Sequence, residues 1–492
     1  MKKIPLLILI VSVYSCNGFL DSVQPENDLL IDDLFQSRED LEAGLTGLYD
    51  LMQNGVALAG NIPALADVMA GNAEGWFVEV SSLQMEPSHW MTEEIWSTAY
   101  RAINQANAII AALPFVINND PGFSLAQANQ IEGEARFIRG LLYFEMVRLY
   151  ALPWSDDNLN EPGVPLVLEP VFDQSSITFP ARASVGQVYE QIEIDLTKAM
   201  ELMAETNTDG KASGMAAAAG LAEVAFQKND LLSVVDLTGQ ILASGHFQLT
   251  ELPQDFFREE GSSEEIWVIK GSTNNDPVND GLATVYNDAP KTATISNDLK
   301  SNGYKTLLTD AMAQQIASQN LTFVDLRCDP HDIFSKGDLI VTGDTARCNK
   351  YENSWTSGED DTPVYRLAEI LLMRSEALAR INGINQESID LLNRIRQRSM
   401  RVLDQAGFLV PESNELVSYS MEDFQNSDEL VEAIVKERRV ELAFEGNYLH
   451  DLKRLRRAVL NYGTIYLFDS PDLILPLPQR EIDANPALEQ NP

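Results

Sequence analysis

Along the first half of the chain apolar residues recur every three or four positions, and that spacing predicts helices. In TEEIWSTAYRAINQANAIIAALP, Ile95, Ala99, Ala102, Ile103, Ala106 and Ile110 fall on one stripe, with Thr92 placed as N-cap and Pro114 beyond the expected stop. The same period predicts helices at 39–52, 125–150 and 185–203. A further pair, 215–227 and 231–243, is joined by the short turn Lys228–Asn229–Asp230. Its first arm, MAAAAGLAEVAFQ, is rich in small residues that let helices approach closely, which is the physics of a tetratricopeptide-type repeat.

Between Glu251 and Asp361 the pattern breaks. Gly, Asn, Asp, Ser and Thr punctuate short β-prone runs such as EIWVIKG and DLIVTG, with one helix expected near 309–318. Irregular stretches of that length usually carry binding surfaces. Helical spacing resumes at 365–383, where Gly383 is a good stop, and continues in SIDLLNRIRQRS and ELVEAIVKERRVELAFEG. No Pro-rich linker divides these stretches. The expectation is one mainly α domain over residues 36–492, helical at 36–250 and 362–460 and irregular, with loops and short strands, at about 251–361.

The N-terminus follows different rules. An apolar run, Ile4 to Val13, sits behind Lys2 and Lys3; it has the length of a signal-peptide core and is too short to span a bilayer of roughly 30 Å. Residues 1–15 therefore read as a signal peptide, with two cleavage readings. Val13 and Ser15 satisfy the small-x-small rule of plain secretion, whereas Cys16 directly after Ser15 fits a bacterial lipoprotein signal, with 16–35 as a tether. Tyr14 is bulkier than the latter usually has. On the lipoprotein reading the Cys16 thiol takes up diacylglycerol, and at ~0.8 kcal/mol per buried CH₂ several acyl chains anchor where one does not.

A net charge of −39 disfavours nucleic acid, anionic headgroups and polyanionic ligands. Neutral or cationic ligands are the easier partners. Besides Cys16 only Cys328 and Cys348 remain. Outside the cytoplasm they read most simply as a disulfide closing a loop of about 20 residues, worth roughly 3 kcal/mol; two buried thiols are the alternative.

Chemistry-bearing motifs are few. The histidines at 89, 246, 331 and 450 have no metal-ligand spacing, and there is no G-x-S-x-G, phosphate loop or dinucleotide fingerprint. No catalytic residue, metal or other cofactor is expected. Acidic pairs such as Glu93–Glu94 and Asp360–Asp361 would suit a glycosidase, but among 74 acidic residues they arise by chance. KERRVELAFEGNYLHDLKRLRR is more ordered: Glu437, Glu441 and Glu445 repel one another at i, i+4 unless Arg438, Arg439, Arg454 and Arg456 neutralise them. It reads as a partly buried charge network that fixes helix packing. Aromatic residues are the candidate ligand contacts. NAEGWFVEVSSLQMEPSHW places Trp76, Phe77 and Trp90 among turn residues without helical period, where exposed rings would stack on sugar faces; the structural alternative is that they plug the core beneath a loop. Tyr286, Tyr304 and Trp355 are similar candidates, and Trp267 in EIWVIKG reads as core.

Together these segments resemble SusD/RagB-type outer-membrane lipoproteins. The resemblance runs through CNGFLDSVQP, LEAGLTGLYDLM, WSTAYRAINQANAIIAALP, EARFIRGLLYFEMVRLYALPW with GVPLVLEP, ILASGHFQL and YRLAEILLMRSEALARING. Its most specific parts are KERRVELAFEGNYLHDLKR and ILPLPQREIDANPALEQNP. It implies a SusD-like fold of four tetratricopeptide-like helix pairs against an irregular ligand-bearing half, a lipid on Cys16 and exposure on the outer membrane. It also implies a SusC-like TonB-dependent transporter as partner, with the protein capturing oligosaccharide or, in some members, peptide. The family is not catalytic and has no transferable ligand motif. The competing readings are a peptide-binding member of the same family, a glycoside hydrolase and a helical-repeat interaction scaffold. A local basic patch or bound calcium would override the mild bias against acidic glycans.

Overall fold

The computed structural model describes residues 35–55, 58–172, 176–271, 281–287, 293–303, 307–328, 339–342, 345–351, 360–411 and 413–492. Cys16, Tyr304 and Trp355 lie outside these residues, as does the expected signal and tether up to residue 34. The fold is mainly helical. Arg38–Gln53, Trp90–Asn119, Leu125–Tyr150, Val185–Leu202, Gly214–Gln227 and Leu231–Ser244 are its first long helices, and from Trp90–Asn119 onward each packs on the next. Leu367–Asn382 then docks on Leu231–Ser244 and carries Gln386–Ser399 and Ser427–Glu441, so the array continues across the irregular segment.

Local chemistry explains these boundaries. Ser37 with Asp40, Ser124 with Gln127 and Ser184 with Gln187 form reciprocal capping boxes, which satisfy orphan N–H groups at three helix starts. Gly133 lets two helices close: a Cβ there would stand 2.4 Å from Met203 Cγ. Two expectations shift in Trp90–Asn119. His89, not Thr92, is the N-cap, its Nδ1 accepting the Met91 N–H at 3.3 Å, while Thr92 is buried. Pro114 lies inside the helix rather than beyond it. Losing its N–H costs about 3 kcal/mol, but burial of Ala112, Leu113 and Val116 carries the helix on to Asn119.

The described strands form five two-stranded antiparallel sheets. One corrects an expected helix start. Tyr365 and Arg366 belong to the strand Thr362–Arg366, which pairs with Glu265–Ile269 through Trp267↔Tyr365, and the helix begins at Leu367. Trp267 is core as expected: it is buried, its Nε1 donates to the Gly210 carbonyl at 2.9 Å, and its ring meets Phe137 edge-on at 4.8 Å. The expected disulfide is not formed. Cys328 ends a turn after the strand Thr322–Asp325, which pairs with Met400–Leu403, whereas Cys348 is buried at the end of Thr345–Cys348, which pairs with Leu339–Thr342. Their strands belong to different sheets, and the Cys328 thiol points back to the Asp325 carbonyl.

The expected charge network exists and is more buried than its sequence suggests. Glu441 is 2% exposed and pairs with Arg327, Arg366 and Arg398. Glu437 takes Arg396 at 2.9 Å, and Glu445 takes Arg366 and Lys350, each at 2.7 Å. Arg438 and Arg454 turn away to Glu369, Glu376 and Asp451. The glutamates are thus neutralised mostly by cations from other elements rather than by their sequence neighbours. Burial alone would raise the Glu441 carboxyl, but Arg398, Arg366 and Arg327 together hold it well below the usual carboxylate range.

Candidate functional site

The stretch from Asn72 to Trp90 is anchored below and open above. Asn72 is buried; its Nδ2 donates to Asp67 at 2.9 Å and its Oδ1 accepts from Arg439 Nε at 3.0 Å. Asp67 also accepts the Gly446 N–H at 2.8 Å, and burial pushes its carboxyl up to about 6. Ala73–Glu74 then pairs with Thr294–Ile295, and Gly75 turns the backbone at φ +88°, a left-handed value that suits glycine. A single helical turn, Val78–Ser81, follows. The loop is therefore tied by its first residue to the helix Ser427–Glu441, which carries Glu437 and Glu441.

Its rings gather around Phe77. The Phe77 centroid lies 5.3 Å from Trp76 and 5.8 Å from Trp90, both at steep angles that suit aromatic pairs, and His89 stacks on Trp90 at 5.9 Å. Trp90 is 41% exposed, Trp76 and Phe77 are half-buried, and Val78 is 78% exposed. Burial lowers the His89 pKa, which keeps that ring neutral at neutral pH. Exposed Glu79, Gln84, Glu86 and Ser88 surround the rings with hydrogen-bonding groups. The structure thus brings Trp76, Phe77 and Trp90 together as an uncharged cluster in which Trp90 faces water while Trp76 and Phe77 rest partly on the core, able to offer ring surface to a flat apolar face while its rim bonds hydroxyls.

Tyr286 does not join them. It is 1% exposed, lies 6.3 Å from Tyr351 and 5.1 Å from Phe444, and presents no ring face to a ligand. The expectation that it belongs to the platform is therefore corrected: it is core. Of the acidic pairs, Glu93 bonds Arg480 at 3.1 Å and Asp361 bonds Lys270 at 2.8 Å. Among the described residues, no group of three or more His, Cys, Asp or Glu could hold a metal ion.

Four further features escaped sequence reading. A helix, Asn61–Met69, supports the loop, and a hairpin, Val459–Asn461 with Thr464–Tyr466, stands beside it with Tyr462, Ile465 and Leu467 exposed. The hairpin was signalled by N-Y-G between apolar runs. Next to the loop a small pocket of about 170 Å³ is lined by Met69, Val80, Leu83 and Met85 with Ile474 and Leu475. Elsewhere a larger open depression of about 790 Å³ is lined by Asp209, Lys211, His246, Glu260 and Lys270, with Trp267 at its edge. That depression also holds a ring pair, exposed His246 and half-buried Phe247 with centroids 6.2 Å apart, but its one tryptophan, Trp267, is buried.

A family model described as the SusD family matches residues 345–492, and one described as starch-binding, associating with outer membrane, matches residues 18–226. The chain is thus similar to SusD-type proteins in both its N-terminal and its C-terminal part. SusD-like proteins P2 and P38 of Formosa agariphila are each 24% identical to it; the matches cover 99% of this chain and 98% and 97% of theirs. A SusD superfamily structure from Bacteroides fragilis is 22% identical with a TM-score of 0.75, covering 93% of this chain and all of its own. A laminarin-binding SusD-like protein, also 22% identical, superposes at 0.68 with the same coverage. These likenesses make the fold SusD-like, as the helix pairs and irregular half implied.

Proposed function

We propose that this SusD-like protein is a non-catalytic, glycan-binding lipoprotein of the outer membrane. It is anchored through Cys16 and delivers oligosaccharide to a SusC-like TonB-dependent transporter. The observation that carries the reading is the ring cluster of Trp76, Phe77 and Trp90, in which Trp90 is exposed and the other two are half-buried. An exposed tryptophan backed by two further rings is an apolar surface that a sugar face can complete, with hydroxyls for the polar rim. The likenesses support the same reading, since one matching model is described as starch-binding and one structural neighbour as laminarin-binding. The larger depression holds only the His246–Phe247 pair and no exposed tryptophan, so the loop is the preferred site.

The test is a polysaccharide panel in affinity electrophoresis with the wild type and the Trp76→Ala, Trp90→Ala double variant. Each stacked ring contributes about 0.5–1.5 kcal/mol beyond burial, so the double variant is expected to bind roughly five- to 150-fold more weakly. Unchanged migration in every polysaccharide that retards the wild type contradicts the assignment. Purification of the tagged protein from membranes tests the partnership, and recovery without any large β-barrel counts against it.

A further inference from the structure

The hairpin beside the aromatic loop is held there by three contacts. A Cβ on Gly71 would stand 2.4 Å from the Leu460 carbonyl, so the hairpin lies directly against the base of the loop. Asn461 is buried, its Nδ2 reaching the Met69 carbonyl at 3.3 Å. At the tip the Tyr462 hydroxyl oxygen accepts the Gly75 N–H at 3.1 Å, linking positions 387 apart in sequence and touching the residue immediately before Trp76.

The tip itself is unusual. Asn461 pairs with Thr464, leaving a two-residue turn in which Tyr462 has φ +46° and Gly463 φ +79°. Two positive values define a type I′ turn, whose first central position favours Asn, Asp or Gly. A tyrosine in that conformation is strained, and at 59% exposure burial does not compensate it. Strain of this kind clusters at ligand clamps.

Charge is equally one-sided. No Lys or Arg occurs between Arg38 and Arg101, or between Arg457 and Arg480, the two segments that build the loop and the hairpin. The same segments carry Glu74, Glu79, Glu86, Glu93, Asp469 and Asp472, and Arg480 at the far border is already bonded to Glu93. A sulfate or uronate group placed against these two segments meets carboxylates without a cation of theirs to offset them.

We infer that the hairpin tip is a second wall of the glycan site, that Tyr462 both positions the Gly75–Trp76 turn and offers a ring to the ligand, and that the glycan gripped there is uncharged. The inference rests on reading Trp76, Phe77 and Trp90 as a glycan platform. The hydroxyl bond fixes the loop at its hinge, and the exposed ring widens the platform from one chain segment to two.

Isothermal titration of the full chain against neutral polymers (laminarin, starch, mannan) and anionic ones (alginate, carrageenan) tests it, with Tyr462→Asn and Tyr462→Phe beside Trp76→Ala. Asn suits the I′ turn, so Tyr462→Asn is expected to keep or raise the melting temperature while weakening neutral-glycan binding about tenfold. A purely structural tyrosine gives no such split. Tyr462→Phe keeps the ring and loses the Gly75 bond, and about a threefold loss is expected. If Trp76→Ala weakens binding and Tyr462→Asn does not, the second wall is wrong and the platform stands. If an anionic polymer binds as tightly as the best neutral one, the assigned class is wrong. Binding to neither set, or binding indifferent to Trp76 and Tyr462 alike, overturns the platform and this inference together.

Discussion

The network around Glu441 and the loop around Phe77 invert the usual placement of residue types. In the first, guanidinium and carboxylate groups from distant elements are packed away from water; in the second, tryptophan and phenylalanine rings are left in it. Buried ion pairs add little net stability over apolar packing, but they make any wrong arrangement expensive, because a lone buried charge costs several kcal/mol. The network therefore specifies how the last helices and the irregular half meet. Exposed rings do the reverse: they give up burial so that a ligand can supply it. The two regions are linked through Asn72, which bonds Arg439 on the same helix that carries Glu437 and Glu441.

The largest expected effect lies in the network. Glu441→Ala leaves Arg327, Arg366 and Arg398 without their shared carboxylate, and should cost about 3–5 kcal/mol, read as a melting temperature roughly 5–10 °C lower. A shift below 1 °C would mean that the cluster is wetter than the structure shows. The aromatic loop is expected to separate binding from stability in the opposite sense. Alanine at Trp76 and Trp90 should remove about 1–3 kcal/mol of binding while lowering the melting temperature less than Glu441→Ala does, since Trp90 is exposed and Trp76 only partly packed on the core; a melting-temperature loss as large as that of Glu441→Ala would make the rings core residues and dissolve the comparison.

A smaller effect concerns pH. His450 is buried beside Arg148 and Lys453, and a cavity of about 40 Å³ next to it is also lined by Glu145, Glu223 and Glu445. Burial first, then the two cations, hold its imidazole well below the usual value of 6.5. The unfolded chain thus takes up a proton that the folded state refuses. The stability involved is present above about pH 6.5 and falls as pH drops below it, by up to about 1.4 kcal/mol per unit. Glu369, which burial pushes up to about 7 against the lowering pull of its partner Arg438, has the opposite sign: across roughly pH 4.5 to 7 the folded state takes up the proton more readily than the unfolded chain and so gains stability as pH falls. The readout is therefore a difference. Urea midpoints of wild type minus His450→Phe should decline from pH 6.5 to 5; a flat difference would assign the acid limb to other groups. The smallest expected effect is that of salt, since rings and hydroxyls recognise an uncharged glycan without ionic contacts. Raising NaCl from 50 to 500 mM should change its Kd less than about twofold, and a tenfold loss would point to charge recognition.

How much was legible from sequence followed how local the cause was. Leu125–Tyr150 was readable to the residue because Ser124 and Gln127 sit beside the helix they cap. Trp76, Phe77 and Trp90 lie within one short turn-rich stretch, so their gathering was foreseeable from the segment alone. The misses involve partners far along the chain. Tyr286 is buried by Tyr351 and Phe444, Glu441 is neutralised by Arg327, Arg366 and Arg398 rather than by Arg438 or Arg439, and Tyr365 is drawn into a strand by Trp267. Pro114 was misread for another reason: a proline is a strong local stop, and here packing on the core outweighs it.

The most direct test of the account is a crystal structure of the protein with a bound oligosaccharide that it retains in solution. The account predicts a sugar ring stacked on Trp76 or Trp90, between the 72–90 loop and the 459–466 hairpin. Sugar seated instead in the open depression lined by Asp209, His246 and Lys270, with both tryptophans untouched, would contradict it.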